Sequence, residues 1–221
     1  MIADYSASNL KDLYGKGFVY VDKTGFLKEW WNRGRKVTLI TRPRRFGKTL
    51  TLSMIETFFS PLYKGVTKQD GSPLFEGLTV WEDEEMRALQ GTVPVISMTL
   101  SGAKNGTKEE MHEILSTQVG YQFLRYDKAL AENSLLSQAE KKRLHDYAKA
   151  DDLDNPAKAF VTLCMVLKSG YGEAPILLLV YSFRICSICL KKRIIFLSLM
   201  IRAWIILLIY SVSFNSSYVY L

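Results

Sequence analysis

Short apolar runs alternate with longer stretches of helical periodicity along residues 1–179. The apolar β-branched runs predict strands at residues 18–21, 37–41, 93–100 and 174–179. Helical spacing and capping residues predict helices at residues 9–13, 26–31, 50–59, 107–126, 135–150 and 155–170. Residues 60–91 are rich in glycine and acidic residues and predict an irregular connection. This alternation predicts an α/β fold, with a parallel sheet and flanking helices.

The turn between the strand at 37–41 and the helix at 50–59 carries the candidate chemistry. Residues 41–49 read Thr-Arg-Pro-Arg-Arg-Phe-Gly-Lys-Thr. A strand that leads through Gly-Lys-Thr into a helix is typical of the phosphate-binding loop of nucleotide hydrolases. In such a loop Gly47 lets the backbone approach the phosphates closely, and the helix N-terminus adds its positive dipole end. Lys48 would reach the β- and γ-phosphates, and the Thr49 hydroxyl would hold Mg²⁺.

This loop departs from the usual pattern G-x-x-x-x-G-K-[ST] at its start. Arg42 stands where the first glycine is expected, and Pro43 removes one backbone donor. We expect Arg44 and Arg45 to add positive charge that offsets the lost donor. The Gly-Lys-Thr tripeptide also recurs by chance, so a basic turn before a core helix is the alternative interpretation.

The same nine residues, taken with Tyr-Val-Asp-Lys-Thr at 20–24, resemble the bacterial AAA-ATPase-like proteins. Members of that family commonly lack the first glycine, and full-length members often carry a C-terminal nuclease-like domain of the PD-(D/E)XK type. The resemblance covers residues 1–179 and implies a P-loop NTPase-type sheet that binds ATP and Mg²⁺. It implies a nucleotide-binding set of Asp22, Arg44, Arg45, Phe46, Gly47, Lys48 and Thr49. For Asp22 a helix cap is an equal alternative, and Thr24 could fill the same capping role.

The resemblance breaks after Leu179. The family pattern there calls for Asp-Glu-Tyr-Asp or a close variant, whereas residues 180–183 read Val-Tyr-Ser-Phe. The first of those acids holds the Mg²⁺ shell through water, and the next carboxylate polarises the attacking water. We therefore expect ATP to be held without efficient hydrolysis. If turnover occurred, another carboxylate such as Asp22 or Glu173 would have to replace the missing pair.

Residues 180–221 form a tail of different composition. None of the 22 acidic residues, 14 glycines and 6 prolines of the chain lies in it. The net charge of +7 divides into +2 for residues 1–179 and +5 for the tail, so the overall basic character is no sign of nucleic-acid binding. Nucleic acid would be a partner only through the nuclease-like domain, which is absent from this sequence.

Two accounts of the tail stay open, and they do not exclude each other. A frameshift or false gene junction just after Leu179 would explain both the lost motif and the abnormal composition. Alternatively, residues 194–212 form a membrane helix, apolar except for Arg202 and a few serines and preceded by three basic residues. A tail without glycine, proline or polar alternation is not expected to supply a sheet strand. The predicted organisation is therefore an N-terminal P-loop domain, 1–179, truncated after the strand that leads to the second acidic motif, and an atypical hydrophobic tail, 180–221.

Cysteine usage and the N-terminus favour the cytoplasm, with the membrane as the alternative if the tail inserts. The chain has three cysteines and no disulfide framework, and residues 1–10 lack the pattern of a signal peptide. Cys186 and Cys189 have no second pair that would complete a metal site. Besides an ATP-binding module, the sequence leaves open a nucleotide-independent, tail-anchored membrane protein and a nonfunctional product. The oligomeric state is also open.

Overall fold

The computed structural model describes residues 21–35, 37–41, 47–68, 70–99, 107–150, 152–182 and 204–210. The predicted helix at 9–13 and nearly all of the predicted strand at 18–21 lie outside these ranges. Within them, the helices are α1 (Gly25–Asn32), α2 (Lys48–Phe59), α3 (Glu84–Leu89), α4 (Lys108–Leu130), α5 (Gln138–Ala148) and α6 (Pro156–Tyr171). The strands are β1 (Val37–Thr41), β2 (Val95–Thr99), β3 (Ile176–Ser182) and β4 (Trp204–Tyr210).

The described strands form one parallel sheet in the order β1-β4-β3-β2. The predicted α/β class with a parallel sheet and flanking helices is therefore confirmed. The connection at 60–91 is more ordered than predicted, because it contains α3 and the 3₁₀ turns Pro61–Tyr63 and Thr79–Glu82. The acidic run at 82–85 helps to form this structure, because Asp83 accepts a hydrogen bond from the Met86 N–H and caps α3.

Residues 176–179 of β3 are buried on both faces of the sheet, since successive side chains of a strand point to opposite faces and all four are buried. Ile176 and Leu178 pack into a core with α1 and α2, whereas Leu177 and Leu179 pack into a second core with α4 and α6. Each of these side chains is at most 4% exposed. Burying one such side chain stabilises the fold by roughly 1.5–3 kcal/mol, so β3 holds the two layers together.

The helix ends follow from capping chemistry, with two corrections to the predicted bounds. Ser137 and Glu140 form a capping box that starts α5 at Gln138, later than the predicted start at residue 135. Helix α6 begins after Asn155, as predicted, but it ends at the left-handed Gly172 (φ 79°) and not at Gly170. Gly170 lies inside the helix, where a Cβ would come within 3.0 Å of Leu130 Cδ2. Its lack of a side chain serves packing and not helix termination.

Helix α4 runs along the outer edge of β2 and hydrogen-bonds its backbone. The contacts come from side chains one helical turn apart, which meet alternate residues of the strand. The bonds join Tyr126 Oη to Val95 N and O at 2.9 and 2.8 Å, Gln122 Nε2 to Ser97 O at 2.7 Å, and Gln118 Oε1 to Thr99 N at 3.1 Å. These polar side chains replace the neighbouring strand that an edge position lacks.

The tail contributes a strand, which corrects two predictions. Strand β4 lies between β1 and β3 and pairs with both. The expectation that the tail supplies no strand was therefore wrong, and a helix over all of residues 194–212 is excluded because 204–210 are extended. An inner strand of a parallel sheet is covered on both faces, so it reads as an unbroken apolar run without polar alternation. In the part of the chain described, no helix is long and apolar enough to cross a membrane.

Strand β1 is less well covered than β3. The register aligns Leu39 with Leu207 of β4, and Leu207 with Leu179 of β3. Leu179 is 1% exposed, whereas Leu39 is 48% exposed. The core formed with α4 and α6 therefore ends before it reaches β1.

Candidate phosphate-binding site

The site is built from the end of β1 and the start of α2. Strand β1 ends at Thr41 and α2 begins at Lys48, so the turn lies at the carboxyl edge of the parallel sheet, where α/β proteins bind ligands. Gly47 is the N-cap residue of α2 and adopts φ 71° and ψ 22°, the left-handed region that other residues rarely enter. The sequence prediction that this position needs glycine therefore has a backbone reason.

Helix α2 offers a suitable N-terminus for an anion. Its first turn contains no acidic residue, and its first N–H groups have no partner within the helix. Its dipole adds positive potential at the same point. Ile55, Phe58 and Phe59 are fully buried and fix the helix in the core. The C-terminal half of α2 is therefore anchored in the core, whereas Thr49 in its first turn is exposed.

The predicted site residues fall into two groups. Arg44, Arg45 and Phe46 lie outside the described residues. Gly47, Lys48 and Thr49 cap and begin α2, and Thr49 is exposed in its first turn. This position fits the predicted contact of the Thr49 hydroxyl with Mg²⁺, because the same turn presents N–H groups to an anion.

Asp22 ties the segment before α1 to the 3₁₀ turn Thr79–Glu82. Its Oδ1 accepts hydrogen bonds from Thr24 N and Oγ1 at 2.8 and 2.7 Å. Its Oδ2 accepts from Thr79 N and Oγ1, also at 2.8 and 2.7 Å. Thr24 is the N-cap residue of α1, and its hydroxyl also accepts a bond from Val80 N. Asp22 thus organises the start of α1 through its contacts with Thr24.

These contacts determine the protonation of Asp22. Partial burial raises the pKa of the carboxyl group, but the hydrogen bonds from Thr24 and Thr79 outweigh this effect and lower the pKa to about 2. The group is therefore an ionised acceptor near neutral pH. A carboxylate with so low a pKa is a weak general base.

Lys23 lies beside the site and was missed in the sequence prediction. Its Nζ is 3.6 Å from the position that a Cβ on Gly47 would take. The signal was present in the sequence, because Lys23 belongs to the motif at 20–24 on which the family resemblance rests. Only the folded chain brings that motif next to the start of α2.

The end of β3 lies level with the end of β1. The register aligns Thr41 with Ile209, and Ile209 with Tyr181. Residues 180–182, where the sequence resemblance predicts acids, therefore reach the sheet edge that carries the turn. Glu173 precedes β3 at the opposite end of the strand, and a strand of seven residues spans ~20 Å. Glu173 is thus remote from the turn.

Cysteine and histidine give no metal centre in the described ranges. Among those residues, no group of three or more histidine, cysteine, aspartate or glutamate side chains could hold a metal ion. Cys164 is buried in α6, and burial raises the pKa of its thiol to about 12, so it stays protonated. Cys186 and Cys189 lie outside the described residues.

A parallel α/β sheet whose first strand leads through a left-handed glycine into a buried helix is the architecture of P-loop-like domains. A family model described as Predicted AAA-ATPase matches residues 4–178. The chain therefore belongs to this AAA-ATPase-like family, as the sequence motifs indicated. No curated protein and no solved structure matches the chain. The matched region ends inside β3, and a nuclease-like partner domain stays a prediction.

Proposed function

We propose that the chain binds ATP with Mg²⁺ at the turn between β1 and α2. The observation that carries the proposal is the left-handed Gly47 at the N-terminus of a largely buried helix, the first helix after strand β1. Membership of an AAA-ATPase-like family supports the use of nucleotide in general.

Each residue of the turn has a chemical role in this proposal. The first N–H groups of α2 and the Lys48 ammonium hold the phosphates, and Arg44 and Arg45 add positive charge. The Thr49 hydroxyl provides an oxygen ligand for Mg²⁺. Bound Mg²⁺ would neutralise part of the phosphate charge. Phe46 and Asp22 remain predicted members of the site, and the contacts of Asp22 favour a positioning role.

We further propose that nucleotide is held without efficient hydrolysis. Residues 180–182 lie level with the end of β1 and carry no carboxylate. The Asp22 carboxylate is already saturated with hydrogen bonds, and Glu173 lies at the other end of β3. Neither group that could replace the missing acids is therefore suited to activate water.

The proposal is tested by titrating the full chain with Mg²⁺-ATP in a calorimeter. Lys48→Ala should weaken binding by at least about tenfold, because a charge-assisted contact to phosphate is lost. Lys142→Ala removes the same charge from an exposed position on α5 and should bind like the parent chain. Equal affinities for Lys48→Ala and Lys142→Ala would contradict the assignment of the turn. Arg45→Ala, titrated in the same way, tests the contribution of the basic run.

The rate of phosphate release tests the second half of the proposal. We expect the parent chain to release phosphate from ATP no faster than Lys48→Ala does. Turnover well above that control would show that a carboxylate elsewhere replaces the missing pair.

The origin and location of the chain are also proposals. A frameshift after Leu179 predicts that one of the other two reading frames of the coding DNA encodes an Asp-Glu-rich motif and further α/β pattern. If neither frame does, the frameshift idea fails. We propose the reducing cytoplasm as the compartment, because three cysteines without a disulfide framework suit it.

A further inference from the structure

The backbone around Lys23 is fixed on both sides. Asp22 binds the N–H and hydroxyl of Thr24, which is fully buried. The carbonyl of Lys23 itself accepts a hydrogen bond from Phe26 N at 3.1 Å. The Cα of Lys23 therefore has a defined position, from which its side chain extends.

That side chain extends to the N-terminus of α2. Lys23 Nζ lies 3.6 Å from the Cβ position of Gly47, which places the ammonium close to the first N–H groups of the helix. Lys28, the next lysine along the chain, forms an ion pair with Asp83. The Lys23 side chain has no hydrogen bond or ion pair with any residue that the structure describes.

A cation at the positive end of a helix dipole is unfavourable unless an anion joins it. Here the Lys23 ammonium lies beside the N-terminus of α2, and the first residue of that helix is a second lysine, Lys48. Each of these groups also occurs singly in proteins that bind no anion, but together they concentrate positive charge where no described carboxylate balances it. The Asp22 carboxylate, the acid next to Lys23 in sequence, is directed to Thr24 and Thr79 instead.

We propose that Lys23 is a second phosphate-binding lysine of the nucleotide site, in addition to Lys48. This inference rests on the proposed function. It adds a second phosphate-binding residue and a preference for triphosphate ligands. Two ammonium groups that converge on the phosphates select ligands by their phosphate charge, so the site favours a triphosphate over a nucleoside that lacks phosphate.

The test uses the full chain and three ligands, namely Mg²⁺-ATP, inorganic tripolyphosphate and adenosine. Lys23→Ala should weaken the binding of ATP and of tripolyphosphate by about tenfold and leave adenosine binding unchanged. Lys23→Arg keeps the charge and should recover most of the loss. Lys142→Ala is the control for a lysine removed from an exposed surface. The difference between the parent chain and Lys23→Ala should shrink as ionic strength rises, because Lys23 is exposed.

The outcomes separate this inference from the proposed function. If the parent chain binds ATP and Lys48→Ala weakens it, but Lys23→Ala behaves like Lys142→Ala, only the role of Lys23 is overturned. If Lys23→Ala lowers the melting temperature and weakens all three ligands equally, Lys23 acts through the fold, and the inference is overturned as well. A parent chain that binds neither ATP nor tripolyphosphate overturns both proposals.

Discussion

The two edge strands of the described sheet, β1 and β2, differ in how far other described residues cover them. The backbone of β2 is hydrogen-bonded along its outer side by Gln118, Gln122 and Tyr126 of α4. In β1, Val37 and Leu39 are 37% and 48% exposed, and the described residues leave that face of the strand partly open. Within the described residues, the sheet is therefore closed on the side of β2 and open on the side of β1.

The comparison indicates how stability and function divide in this domain. The turn that carries the candidate site follows β1, on the open side, whereas α4 and α6 stabilise the side of β2. Binding segments are usually drawn from the less stable part of a fold, because they must adjust to a ligand. We interpret the side of β2 as the scaffold and the side of β1 as the part that carries the proposed nucleotide site.

The largest expected effect comes from truncating one leucine in β3 and one in β1, which lie on the same face of the sheet. Leu179→Ala should lower the free energy of unfolding by about 3 kcal/mol, because it leaves a cavity in a closed core. Leu39→Ala should cost less than about 1 kcal/mol, because the side chain is half exposed. Chemical denaturation of both variants measures the difference. Equal losses would mean that the face of β1 is as well covered in solution as that of β3.

A smaller effect is expected from removing one hydroxyl at the closed edge. Tyr126→Phe leaves the N–H and C=O of Val95 without their hydroxyl partner and should cost about 1–3 kcal/mol. Tyr121→Phe on the same helix is the matched control, and since Tyr121 is 56% exposed it should change stability by less than about 0.5 kcal/mol. If the two variants were equally stable, the hydrogen bonds from α4 would not be what protects β2.

The smallest effect concerns Asp22, next to the open side, and it depends on pH. Because the folded pKa of about 2 lies below the ordinary value of 3.8, this carboxylate stabilises the fold above pH 3.8. That stabilisation is lost as the pH falls from 3.8 through 2. Asp22→Asn should therefore cost about 1 kcal/mol at pH 7, after allowance for solvent screening, and almost nothing near pH 2.

Unfolding curves recorded between about pH 2 and pH 7 measure this effect. Thr79→Val removes one of the hydroxyl donors and should show a fraction of the same pH dependence. A cost for Asp22→Asn that does not change with pH would contradict the role given to its hydrogen bonds.

The elements with local signals were predictable from sequence. Strand β1 was predicted with its observed bounds, and α2 was predicted because its apolar residues recur at helical spacing and follow Gly-Lys-Thr. Helix α4 was also predicted, although it ends at Leu130 and not at residue 126. Its contact with β2 was not, because a polar helical stripe does not reveal which strand will lie at the edge of the sheet.

The features that were missed depend on distant parts of the chain. Asp22 and Thr79 are separated by 57 positions, and no local pattern predicts their hydrogen bonds. The approach of Lys23 to Gly47 is likewise a product of folding. Strand β4 was missed for another reason, because an inner parallel strand lacks the polar alternation that marks a half-buried strand, and the same apolar run also fits a membrane helix.

The order β1-β4-β3-β2 has a consequence for how the chain is made. Strand β4 fills the gap between β1 and β3, yet the ribosome synthesises it on the order of 160 residues after β1. At typical rates of ~5–20 residues per second, the inner edge of β1 waits roughly 8–30 seconds for the strand that pairs with it, and the edge of β3 waits roughly 1–5 seconds. Until then the nascent chain exposes two unpaired apolar edges. The protein should therefore be most prone to aggregate, and most dependent on chaperones, in the interval before residues 204–210 emerge.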